Sequence, residues 1–278
     1  MDRINNYLEV LESIKILKEG KKGYITNFYQ DIEKINEEIN LGNLYMKRIL
    51  DSLFLFRKNN EFLNLFFCSI SYDSLQQSLC EFKNELKEIH IVVDLVGKKS
   101  DIVLLKEVFK SNAFFEYVTL YRMSRNTDSK YVPKLDVNFK IAEIEHANNI
   151  FNLFHTYFDP ISEQLPSYKE IIDWINLSHI SLYEVEGKIY GFVIYDLNGQ
   201  TSYLRYWFVH PEYRNNKIGS ILLNQFFYES QNTKRQLFWV IQSNDNAIKR
   251  YKHYGFEPEN LYDLIMTNKN IHYEAESN

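Results

Sequence analysis

Glycine and proline are scarce in this chain of 278 residues, nine and five in number. That scarcity excludes a collagen-like, linker-like or glycine-rich architecture. Cysteine is scarcer still: Cys68 and Cys80 have no ligand-like companions and read as structural thiols, not as a disulfide frame. The histidines (His90, His146, His155, His179, His210, His253 and His272) are scattered, and none makes a His-x-x-x-His or Glu-flanked pair. No metal is therefore expected. No apolar run approaches the roughly 20 residues of a membrane span, so no membrane partner is expected. The first six residues, Met1 to Asn6, are polar and lack the apolar core of a secretion signal, which makes a cytoplasmic location the expectation. Positive charge is not in excess either. The net charge is −5, and phosphate neutralisation dominates affinity for long nucleic acids, so no nucleic-acid partner is expected.

What is present is apolar and aromatic. Hydrophobic residues make up 45 % of the chain, with 21 Tyr and 20 Phe, enough to fill two cores, and the length is that of two ordinary domains. A polar, turn-rich stretch from Arg125 to Pro133 breaks the pattern. It sets the expected domains at residues 1–128 and 135–278, with an α/β pattern on each side.

On the C-terminal side, Val137–Ile141 reads as a strand and Glu143–Phe158 as an amphipathic helix. Ser167 and Glu170 form a capping box for a second helix through Asn176. Ile180–Val185, Ile189–Leu197 and Ser202–Val209 are strands joined at Glu186-Gly187 and Asn198-Gly199. A helix over Lys217–Glu229, a strand over Gln236–Ile241, a helix over Asp245–Tyr254 and a closing strand over Leu261–Thr267 follow. Strand–helix–strand predicts a parallel pairing of Ser202–Val209 with Gln236–Ile241. The N-terminal side predicts helices at Ile4–Leu17 and Ile25–Ile39, then strands at Arg48–Phe56 and Phe62–Ser71. A helix at Ser74–Leu86, a strand at Ile89–Leu95, a helix at Asp101–Lys110 and a strand at Phe115–Met123 complete it. The fold class is α/β (α+β), each domain a mixed, mostly antiparallel sheet flanked by helices. The shared order of elements points to an internal repeat.

Two segments carry candidate chemistry. Val209-His210-Pro211-Glu212-Tyr213-Arg214-Asn215-Asn216-Lys217-Ile218-Gly219-Ser220 leaves a strand and opens a helix, where free amides and the helix dipole favour an anion. Gly219 there allows close approach to the backbone. The second segment runs from Asn244 to Phe256. Asn244 caps a helix, Gly255 ends it, and Ala247, Ile248, Tyr251 and Tyr254 share one face, which by itself describes a capped amphipathic helix.

Together, and in this order, the two segments resemble the GNAT superfamily of acyl-CoA-dependent N-acyltransferases. The family's phosphate loop, Gln/Arg-x-x-Gly-x-Gly/Ala, is matched by Arg214 to Gly219, with Lys217 in place of the first glycine. Its later motif, Asn-x-x-Ala-x-x-x-Tyr-x-x-x-Gly-Phe, is matched at Asn244, Ala247, Tyr251, Gly255 and Phe256. Val209, Pro211 and Tyr213 before the loop are also typical.

The resemblance implies acetyl-CoA as acyl donor and an amine as acceptor. The pyrophosphate would sit on the amides around Asn215, Asn216, Lys217, Ile218, Gly219 and Ser220, and the pantetheine arm along Phe208 and Val209 between splayed strands. Asn244, Ala247 and Tyr251 would border the donor, and Tyr251 would protonate the leaving thiolate. Lys217 either weakens the phosphate contact through its Cβ or strengthens it through its ammonium. No general base stands out: Ser202–Val209 carries no carboxylate, and Glu184, Asp196 and His210 each read first as structural. The N-terminal half lacks both motifs, with Tyr72-Asp73-Ser74 after its strand and no glycine in Phe109 to Phe114, and resembles a degenerate GNAT copy as in tandem members of the family. The rival reading is a non-catalytic acyl-CoA-binding regulatory or scaffold protein.

Overall fold

A computed structural model describes residues 1–21, 23–29, 31–59, 61–127 and 138–273. Most of the expected break, and Val137, lie outside them. The chain divides into two compact units, one of residues 1–121, 241–243 and 260–278, the other of residues 122–240 and 244–259.

The first unit begins with β1 (Asp2–Arg3), α1 (Tyr7–Lys18), β2 (Ile25–Thr26) and α2 (Ile32–Leu41). The antiparallel strands β3 (Leu44–Ile49), β4 (Ser52–Lys58) and β5 (Leu63–Ser69) follow. Then come α3 (Tyr72–Leu86), β6 (Ile91–Gly97), α4 (Lys99–Ser111) and β7 (Phe115–Asn126), the last of which enters the second unit at Arg122. The core is aromatic, with Phe54, Phe56 and Phe67 of the strands buried against Phe82 of α3 and Phe109 of α4. Two expectations are corrected here. The helix predicted over Ile25–Ile39 is a short strand, pairing Ile25 with Ser69, followed by a helix capped by Asp31. The single strand predicted over Arg48–Phe56 is a hairpin, because Leu50 takes a left-handed φ of 49° and Ile49 pairs with Ser52.

The second unit repeats the order: β8 (Phe139–Ile141), a 3-10 turn at Ile144–His146, α5 (Ala147–Tyr157) and α6 (Tyr168–Asn176). The antiparallel strands β9 (Ile180–Val185), β10 (Lys188–Asn198) and β11 (Thr201–Val209) come next. They are followed by α7 (Ile218–Glu229), β12 (Arg235–Ile241), α8 (Asp245–His253) and β13 (Glu257–Thr267). The capping box expected at Ser167 and Glu170 is in place. One face of the sheet packs on α5 and α6 through Phe154, Ile171, Phe192, Ile194 and Phe208. Tyr195, packed against Phe226 of α7 with ring centroids 5.8 Å apart, marks the other face.

The predicted domain boundary differs from the division found. β13 follows the second unit's last helix but pairs antiparallel with β6 of the first, Tyr262–Thr267 against Gly97–Val92. The strand expected to close the C-terminal sheet therefore belongs to the N-terminal unit, between β6 and β7. Residues 122–126 of β7, in turn, lie in the second unit, where β7 neighbours β12. Arg125, expected in the inter-domain break, is a structural pin of that unit. Its Nε donates to Gln236 Oε1 at 2.5 Å, its Nη1 to the Tyr254 carbonyl at 2.6 Å, and its guanidinium lies 3.7 Å from the Phe227 ring centroid.

Candidate active site

In the second unit β11 and β12 are paired in parallel over three residues only, Thr201, Ser202 and Tyr203 with Arg235, Gln236 and Leu237. Beyond Tyr203 that pairing stops. At the same place β10 and β11 shift register: Tyr195 pairs with Leu204 but Ile194 with Tyr206, leaving Arg205 as the extra residue of a β-bulge. A bulge bends its strand and reverses the alternation of faces. Leu204 pairs with Tyr195 on the α7 face, whereas Tyr206 lies against Phe154 and Trp174 on the α5–α6 face. A cleft edged by unpaired backbone thus opens along β11 from Leu204 to Val209.

The far end of the cleft meets the loop before α7. Asn215, Asn216 and Lys217 are exposed, and Ile218 is buried beneath the helix. None of the backbone N–H groups from 215 to 220 has a hydrogen-bond partner among the described residues. Asn215 and Lys217 hold left-handed φ values of 71° and 61°. This explains why a glycine suits position 217: the lysine bears a conformational cost of about 1 kcal/mol. Gly219 also packs closely: a Cβ there would lie 3.0 Å from Trp207 Cζ2 and 3.4 Å from Val209 Cγ2, so helix-to-strand packing favours a residue without one. Arg214 closes the turn before the loop, its amide 3.3 Å from the Pro211 carbonyl, and Ser220 Oγ accepts from the Tyr254 hydroxyl at 3.1 Å.

The second motif resolves into local devices. Asn244 Oδ1 accepts from the Ala247 amide at 3.0 Å and starts α8. Gly255 takes a φ of 84° and turns the chain, so that the Phe256 amide reaches the Tyr251 carbonyl at 3.1 Å. Phe256 is fully buried against Phe238. The same helix carries the Tyr251 ring between the diverging strands, 4.2 Å from Phe238 of β12 and 5.5 Å from Trp207 of β11, centroid to centroid. Its hydroxyl has no hydrogen-bond partner among the described residues. Burial pushes the phenol well above its ordinary pKa; Arg250 opposes this and Glu163 adds to it. The ring is therefore neutral and holds its proton at physiological pH.

The carboxylates and histidine named as base candidates all have partners. Glu184 bonds His146 at 2.9 Å and Lys140, and the lysine's hydrogen bond holds the carboxyl below its usual range. His210 Nε2 and the Tyr157 hydroxyl are 2.9 Å apart, beside a groove of about 380 Å³ lined by Asn149, Asn152, Lys188 and Ile189. Asp196 is held by Arg205 and Trp174. Sequence reasoning missed Trp207 and Phe238 beside Tyr251 and Trp174 behind Asp196, because they meet only through the packing of separate elements, which no local signal marks. Among the described residues no group of three His, Cys, Asp or Glu side chains is placed to hold a metal, and no helix is long and apolar enough to cross a membrane.

Residues 147–256 match the model of the acetyltransferase (GNAT) family. This segment is a GNAT domain. Its matched span runs from the first residue of α5 to Phe256. The whole chain is similar in fold to a GCN5-related N-acetyltransferase from Sphaerobacter thermophilus, with a TM-score of 0.59 and 8 % identity over 86 % of this chain and 85 % of that one. A GNAT-family acetyltransferase from Colwellia psychrerythraea gives 0.57 and 12 % over 96 % and 98 %. A tandem GNAT protein of the clavulanic acid biosynthesis pathway gives 0.54 and 12 % over 78 % of each chain. No curated protein matches the sequence. The chain is thus a tandem of two GNAT-like folds, and the family motifs lie in the second.

The first fold lacks the corresponding site. Only Ile70 and Ser71 separate β5 from α3, and Ser71 Oγ accepts the Ser74 amide at 3.1 Å, so the helix start is capped by its own side chain. Where the GNAT domain has Tyr251, this unit has the buried Phe109.

Proposed function

We propose that the C-terminal GNAT domain is an acetyl-CoA-dependent N-acetyltransferase that acts on an amine by direct attack. The observation that carries this reading is Tyr251: a neutral, unpartnered phenol set between two strands that part company. The unpartnered amides of 215–220 suit the donor's pyrophosphate, with the α7 dipole and Lys217 adding positive potential. The unpaired edge of β11, around Phe208 and Val209, suits the pantetheine amides and offers an N–H to the thioester oxygen. From Val209 back to Arg205 is four residues, about 13 Å of strand, so the acyl group lies toward the bulge.

The acceptor nitrogen attacks the thioester carbon, and the C–S bond breaks as the C–N bond forms. The departing sulfur takes the Tyr251 proton. The nitrogen's own surplus proton leaves to water, which restores the phenol. Asn244 and Ala247 place Tyr251 by building the first turn of α8. Partnered as they are, Glu184, Asp196 and His210 act as structural groups, which fits an amine that arrives neutral.

The test is calorimetric titration with acetyl-CoA beside a thiol-release assay on an amine panel. Binding below about 100 µM, roughly −5.5 kcal/mol, with acceptor-dependent thiol release supports the reading. Binding without release on any amine favours the scaffold alternative, and no binding at millimolar ligand overturns both.

A further inference from the structure

Arg205 is the residue that the bulge adds to β11, two positions beyond the last parallel pair with β12. Its Nε donates to Asp196 Oδ2 at 2.5 Å, and the other Asp196 oxygen accepts from Trp174 Nε1 at 2.8 Å. The guanidinium also lies 4.2 Å from the Tyr203 ring centroid. Asp196 and Tyr203 therefore fix its plane, and Trp174 holds the carboxylate in place. The two terminal nitrogens have no hydrogen-bond partner among the described residues, and the side chain is 39 % exposed. An arginine kept only for its ion pair with Asp196 would not need the indole behind that carboxylate or the ring beside the guanidinium. A planar fork held this way, with its outer donors unpaired, matches a carboxylate.

The position matters as much as the geometry. Tyr206, the next residue, donates to the Gln164 and Glu163 carbonyls at 2.7 and 3.2 Å and ties the loop between α5 and α6 to the bulge. Arg205 thus lies on the α6 side of the cleft, where β11 leaves β12, while Tyr251 reaches the strands at Trp207. An acceptor arriving along this side meets the guanidinium next to the reacting end.

We infer that Arg205 recognises a carboxylate on the acceptor, so that the substrate is an amino acid or another amine bearing an acid group. The inference rests on the acetyltransferase reading of the same cleft. Asp196 and Trp174 are positioning residues that act through Arg205.

The experiment compares the twenty standard amino acids with their amides as acceptors in the thiol-release assay, for the full chain and for Arg205→Met and Arg205→Lys. The wild type should prefer at least one acid over its amide by about tenfold or more in kcat/KM, the scale of one lost charge-assisted hydrogen bond. Arg205→Met should abolish that preference through KM, with kcat within about threefold, and Arg205→Lys should restore part of it. Acetyl-CoA affinity, read by calorimetry, should be unchanged in both variants. Equal use of acids and amides, release with neither while acetyl-CoA still binds, or a preference that survives Arg205→Met overturns the inference and leaves the donor site standing. Failure of the wild type to bind acetyl-CoA removes both together.

Discussion

Phe114 donates its backbone amide to the Phe109 carbonyl at 3.1 Å, and Phe256 makes the same bond to Tyr251 at the same distance. The surrounding turns agree as well: Ala113 holds a φ of 64° where Gly255 holds 84°. Two helices, α4 and α8, thus end on one local design, and the aromatic ring five residues before the final Phe enters each unit at the same place. In the first unit it is a packing ring. In the second it carries a hydroxyl.

That contrast yields the first expectation. Tyr251→Phe keeps the ring contacts with Phe238 and Trp207 and removes only the proton donor. Turnover should fall by about 10²–10⁴-fold, the usual worth of a positioned acid, while acetyl-CoA affinity changes less than threefold. Steady-state kinetics with calorimetry on the same preparations checks it. A variant with full turnover would leave Tyr251 a packing residue like Phe109.

The repeat shows what is legible in a sequence and what is not. Asn244, Ala247, Gly255 and Phe256 act within a dozen residues of one another, as cap, first turn, left-handed exit and core plug, so their spacing alone discloses them. Leu50 shows the opposite case. A two-residue hairpin normally announces itself by Asn-Gly, and a leucine at φ 49° gives no such signal, so two strands read as one. The bulge at Arg205 is equally silent, because Thr201–Val209 reads as one continuous strand-forming run and only pairing with β10 reveals the slip. β13 was readable as a strand, but one of its partners is β6, some 170 residues away, and periodicity carries no information about partners.

Gly191 supports the cleft from below. A Cβ on it would lie 2.7 Å from the Phe208 carbonyl oxygen and 2.9 Å from Leu222 Cδ1. The oxygen is backbone and cannot rotate away. Gly191→Ala should therefore destabilise the protein by about 1–3 kcal/mol and displace β11 beside the donor site. Urea unfolding gives the first quantity and acetyl-CoA affinity the second. An unchanged midpoint would show that β10 and β11 separate at little cost.

Lys217 offers a test of the phosphate loop. Its left-handed backbone favours glycine and penalises β-branched residues most. Lys217→Gly should leave stability within about 1 kcal/mol of the wild type, and Lys217→Val should lower it by about 1–2 kcal/mol. Both remove the ammonium, so both should weaken acetyl-CoA and flatten the salt dependence of binding. Tighter binding in Lys217→Gly would mean that the side chain obstructs the loop.

The cysteines differ in reactivity. Cys80 is exposed, whereas Cys68 is buried, and burial pushes its thiol up despite a hydrogen bond with the Thr26 hydroxyl. A thiolate-directed reagent at pH 8 should titrate one thiol per native chain and two after denaturation. Two fast thiols would show that the strands around Cys68 open readily. For the same reason thiol-release assays are best run on Cys80→Ser, which removes the background without touching either unit's core.

The pH profile follows from the direction of the Tyr251 shift. A general acid works only while protonated, and a raised pKa keeps the proton on at higher pH than in free tyrosine. Ionisation of Tyr251 should therefore cause no alkaline decline in kcat below pH about 10, the ordinary tyrosine value. The acid limb belongs to the acceptor, which must lose its ammonium proton before it attacks, so activity should rise with pH and then level off. Profiles of wild type and Tyr251→Phe separate the two groups. An alkaline limb in the wild type below pH 10 that vanishes in the variant would mean that the phenol ionises early, and the proton would then have to reach the thiolate from elsewhere.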